Sequence, residues 1–103
     1  MLQIIRSPCA MYRYASLFQH KIYLFGHPEI STYIDGATPS VRQNYIQFCL
    51  ENEEKSKQIH QMIPSTFMFE YYILWGHSRD IVVNTNHLNG LLCKKYKGID
   101  YYY

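Results

Sequence analysis

Four prolines limit what this chain can fold into, because none of them can sit inside a helix or a central strand without breaking it. They are Pro8, Pro28, Pro39 and Pro64. Ser7 before Pro8 supplies an N-cap and a first helical position where the missing N–H costs nothing. Met11, Tyr14, Ala15 and Phe18 then recur at helical spacing, which predicts a helix over 8–19. Lys21 to Phe25 is short, aromatic and β-branched and stops at Gly26-His27-Pro28, so a strand is expected over 21–25. A second extended piece is expected over 30–34, ending at Asp35-Gly36.

Thr38 before Pro39, and Ser40 with Gln43 three residues on, are overlapping helix-start signals. They open a helix over 40–63 with Val41, Tyr45, Phe48, Cys49, Ile59, Met62 and Ile63 on one side, ended by Pro64. Its middle, Asn52 to Lys57, has no apolar residue. Uninterrupted it would extend roughly 36 Å at 1.5 Å per residue, so either two turns are solvated or the helix breaks at this waist. Beyond Pro64, the Phe, Met, Tyr and Ile content of Thr66 to Trp75 predicts a central strand over 66–75. Gly76 to Asp80 turns the chain into a partner strand over 81–84. Leu88, Leu91, Leu92 and Tyr96 have helical spacing, which predicts a helix over 87–97 with Lys94, Lys95 and Lys97 at its negative end. Gly90 inside it weakens that helix by about 1 kcal/mol relative to alanine.

These elements describe a small α+β domain with a short, mostly antiparallel sheet. A chain of 103 residues has room for one domain, 1–103, with 99–103 as a flexible aromatic tail. Hydrophobic residues make up 48% and charged residues 17%, a balance that excludes intrinsic disorder. The apolar stretch Phe67 to Trp75 is interrupted by Glu70 and falls short of the ~20 residues that span a bilayer. Three cysteines, Cys9, Cys49 and Cys93, with no short spacing between them point to a reducing, intracellular compartment, the cytoplasm in the first place. The first 28 residues hold Arg6, Arg13 and Lys21 but no acid, a composition that also suits organelle targeting.

The apolar run of Tyr23 to Phe25 leads into Gly26-His27, and that of Ile73 to Trp75 into Gly76-His77. Two imidazoles across a cleft would suit acid–base hydrolysis, so a small hydrolase or nuclease using His27 and His77 is one reading. The plainer reading is that glycine serves the turn and histidine faces water. His60, His77 and His87 lack metal-ligand spacing, the glycines are scattered singly, and no nucleotide loop, cofactor site or small-molecule substrate is identified. Ser78 and Asp80 flank His77, but neighbours in a turn diverge and do not form a triad.

Eleven tyrosines, five phenylalanines and one tryptophan exceed what a small core needs. Tyrosine at a surface favours interfaces. The basic termini interleave charge with rings: Arg6, Arg13 and Tyr14 at one end, and Lys94, Lys95, Tyr96, Lys97, Tyr101, Tyr102 and Tyr103 at the other. Charge and stacking together suit RNA, although a net charge of +2 is low for nucleic acid alone. The leading expectation is a non-enzymatic accessory subunit or binding factor that docks on a larger intracellular assembly, with a ribonucleoprotein such as a ribosome as the candidate and a protein partner as the main contact.

Overall fold

The computed structural model describes residues 2–96, so Lys97, Tyr101, Tyr102 and Tyr103 lie outside the described residues. Three strands come first: β1 (Gln3–Arg6), β2 (Tyr14–Phe18) and β3 (Lys21–Phe25). They form one antiparallel sheet in the order β1-β2-β3. A single helical turn at Tyr33–Asp35 follows, then α1 (Pro39–Glu51), α2 (Glu53–His60), α3 (Thr66–Phe69) and α4 (Ile81–Lys95). The α+β class is as expected, and β3 occupies its expected residues. Four of the other expected elements differ in kind, and a fifth, the helix over 40–63, is divided.

The helix expected over 8–19 is instead the turn after β1 and the whole of β2. The residues that gave helical spacing fit a strand once β2 is gripped from both sides, Tyr14 to Arg6 and Phe25, Leu17 to Gln3 and Ile22. Phe18 pairs with Lys21 across a two-residue turn in which Gln19 and His20 both have positive φ, 50° and 65°. That is the mirror-image turn that matches strand twist, but it is normally announced by Asn-Gly and here carries neither residue. Since Gln3 to Phe25 hold every strand among the described residues, cleavage of the acid-free first 28 residues would remove the sheet.

The strand expected over 30–34 is a loop ending in the Tyr33–Asp35 turn, because Asp35 accepts hydrogen bonds from the Thr32 backbone N–H at 2.8 Å and hydroxyl at 2.9 Å. The helix over 40–63 breaks at its polar waist. Asn52 closes α1 with extended backbone and opens α2, its side-chain oxygen accepting from the Lys55 N–H at 3.0 Å. Thr38 caps α1 as its sequence announced.

Thr66 to Trp75, expected as a strand, is helical. Ser65 caps α3, which widens into a π-helical turn over Glu70–Leu74. Met68 and Phe69 are buried, and so are Ile73 and Leu74 five positions on. The wide turn keeps both pairs on one face, a period that neither strand nor ordinary helix templates detect. The strand expected over 81–84 is the start of α4, capped by Asp80, and the helix expected over 87–97 is the remainder of that helix as far as Lys95.

The core lies between the sheet and the helices. Phe18 and Phe25 from the sheet meet Phe69 and Leu74 from the α3 segment and Leu88 and Leu92 from α4. Phe25 and Phe69 stack with centroids 6.0 Å apart. Tyrosine hydroxyls secure the far end of α2: Tyr72 donates to the Ile59 carbonyl and Tyr96 to the Met62 carbonyl, each at 3.2 Å.

Candidate functional site

The two Gly-His turns use glycine for different reasons. Gly26 has φ of 88°, the left-handed region, and its backbone lies against Leu74. Gly76 is required by contact, because a Cβ there would sit 2.5 Å from Asn84 Cγ and 2.5 Å from the Tyr72 carbonyl oxygen. Asn84 is fully buried and ties α4 to this turn. Its amide donates to the carbonyls of Ile73 at 2.9 Å and Ser78 at 2.7 Å, and its oxygen accepts from the Ser78 N–H at 3.0 Å.

The histidines have separate surroundings. His77 is exposed, with its ring 5.0 Å from that of His87 on α4. His27 lines two adjoining clefts, neither of which includes His77. Its Nδ1 accepts from the Glu29 N–H at 3.1 Å, which assigns the proton of the neutral ring to Nε2. His60 is engaged by Ser56 on its own helix. Among the described residues, no group of three or more His, Cys, Asp or Glu side chains converges as metal ligands.

The deeper cleft beside His27, about 210 Å³, is lined by Ile30, Thr32, Tyr45, Lys55, Phe67, Glu70 and Trp75. Tyr45 and Trp75 stack nearly parallel, centroids 4.3 Å apart. Glu70, in the π-helical turn, accepts the Gly26 N–H at 3.2 Å. Burial raises its carboxyl above the ordinary range, against the opposing pull of that N–H and of Lys55 and His27. Lys55 sits between two rings, its ammonium 4.6 Å from the centroid of Phe48 and 4.4 Å from that of Phe67. Met11 and Tyr12 line the shallower cleft on the far side of His27. The result is a continuous band of Met11, Tyr12, His27, Ile30, Phe67 and Phe48. Met11 is 74% exposed, Phe48 57% and Ile30 54%.

The chain matches no family model, curated protein or solved structure.

The residues expected to bind a partner are distributed differently. Arg6 and Tyr14 share a groove of about 310 Å³ with Ile5, Ile81 and Val82, where β1 meets the start of α4. Lys94 and Lys95 are exposed in the last turn of α4, about 20 Å along the helix from Val82 at 1.5 Å per residue. Tyr96 is half-buried against Phe18. Of the eight described tyrosines only Tyr12 is exposed, the others being packed at least in part. Glu70, Lys55, Phe48 and Phe67 were not singled out as site residues. The one sequence signal for the cleft was a lone acid, Glu70, inside an apolar run.

Arg13 is committed to Asp35 through two parallel bonds of 2.7 Å each. That guanidinium, with the Thr32 donors, lowers the Asp35 carboxyl from 3.8 to about 2. On acidification the unfolded chain binds its proton first, so the stabilisation is complete above the ordinary carboxylate pKa and disappears as pH falls through the folded value. Asp35→Asn is expected to cost about 1 kcal/mol near neutrality, the pair being partly solvated. It should also flatten the acid limb of a denaturation series between roughly pH 4 and 2. An unchanged limb would assign that limb to other carboxylates.

Among the described residues no helix is long and apolar enough to cross a membrane.

Proposed function

We propose that this protein is a non-catalytic accessory subunit that docks onto a larger intracellular assembly, and that it docks by protein contact. The observation that carries the reading is the exposed band from Met11 to Phe48. Large apolar side chains left contiguous at a surface mark interaction sites, and aromatic residues and methionine are the types enriched at interface centres. Phe48 and Phe67, held apart by Lys55, offer ring faces already fixed by packing, which lowers the entropy lost on binding.

A ribonucleoprotein remains a candidate assembly, and in this reading the chain meets its protein component. Arg13 is already paired, and Arg6 lies at the opposite end of α4 from Lys94 and Lys95, so these residues of the two basic termini do not gather into one patch. Sedimentation of a host-cell lysate with tagged protein tests this. Co-migration with a large complex should persist as salt is raised, and should be lost in the double variant Phe48→Ser, Phe67→Ser. Release by moderate salt or by ribonuclease would identify phosphate contacts and overturn the protein-docking reading. Indifference to the double variant would remove the band from it.

A further inference from the structure

We propose that His77 and His87 together form a binding site for a divalent transition-metal ion of the kind that prefers imidazole, such as Zn²⁺ or Ni²⁺. The site is separate from the docking band.

The geometry is built from α4 outward. Asn84 and His87, three residues apart, lie on one face of the helix. Asn84 holds both the N–H and the carbonyl of Ser78, so the adjacent His77 is fixed above that same face. The two rings meet edge to face, centroids 5.0 Å apart and planes at 77°. Both are exposed, so rotation about their side-chain bonds can turn a nitrogen of each toward one point in solvent.

Availability distinguishes this pair from the other histidines described above. Neither His77 nor His87 has a hydrogen-bond partner among the described residues, whereas a nitrogen of His27 is used by Glu29 and one of His60 by Ser56. Two imidazoles in mutual reach are a chelating pair, and imidazole is a favoured ligand of zinc, nickel and copper. Among the described residues no third ligating side chain joins them, so the remaining coordination positions go to water.

The test is a Zn²⁺ titration of the full chain near pH 7.5, followed by the imidazole resonances of all five histidines. His77 and His87 should respond together on one isotherm, at one ion per chain. His77→Ala and His87→Ala should each weaken binding by about tenfold or more. His60→Ala and Cys9→Ser should leave it unchanged. Retention of affinity in either alanine variant at His77 or His87, a response from one ring only, or loss of binding in Cys9→Ser would overturn the site.

Discussion

Gly76→Ala is expected to destabilise the protein by about 3 kcal/mol, at the upper end of overpacking effects, and to lower the melting temperature by roughly 15 °C. The added methyl group meets two unyielding neighbours. One is the Tyr72 carbonyl, part of the π-helical backbone, and the other is the Asn84 amide, held by three hydrogen bonds. Relief requires either α4 to move from the turn or the Asn84 network to break. Gly90→Ala is the matched control. A Cβ at Gly90 meets nothing within 4 Å, and the position is an exposed helix interior, so alanine should stabilise by about 1 kcal/mol. Thermal unfolding of the two variants therefore moves in opposite directions. A tolerated Gly76→Ala would mean that the turn does not press on α4 as described.

Asn84→Leu carries the second large effect, about 4 kcal/mol of lost stability. The substitution keeps the branched shape but puts two methyl groups where an oxygen and an amino group sat, so overpacking adds to the loss. It strands the Ser78 N–H and the carbonyls of Ile73 and Ser78 in or near the core, and each unsatisfied buried group costs about 1–3 kcal/mol. Asn84→Asp separates the donors from the acceptor. The ionised carboxylate keeps the bond from the Ser78 N–H but faces two carbonyl oxygens, so burial and those oxygens raise its pKa in the folded state. With the folded value above the unfolded one, this variant gains stability as pH falls and loses it as pH rises. Denaturant melts at two pH values would show that trend. A flat response would place Asn84 outside the buried network.

Both predictions concern a turn that looked, in sequence, like a presented histidine. Gly76 and Asn84 lie eight positions apart, and nothing local announces that one is small because the other is buried. The same holds for Glu70, a single acid in an apolar run whose partner, the Gly26 N–H, lies just past the end of β3. The candidate cleft was therefore mostly illegible. Its residues derive from the loop after β3, α1, α2 and the α3 segment, and none of these supplies a motif alone. The basic residues expected to bind a partner were legible as charges, but their placement relative to one another was not. Arg13 is neutralised by Asp35, twenty-two positions away, and the lysines of α4 lie a helix length from Arg6.

The sequence by itself determined the elements whose signals are local. Thr38 and Pro39 start α1, because a side-chain acceptor and a missing N–H act within one turn. The apolar-free waist marked where the helix over 40–63 could break, and the folded chain makes that break at Asn52. Lys21 to Phe25 stop at Gly26, where φ must turn positive. Tertiary structure decided the rest. Tyr14 to Phe18 are a strand because β1 and β3 satisfy their backbone groups on both sides. Met68 to Leu74 are helical because a π turn aligns two apolar pairs on a core that exists only once the sheet and α4 are assembled. His77 meets His87 because a buried asparagine makes three hydrogen bonds that only the folded chain brings together.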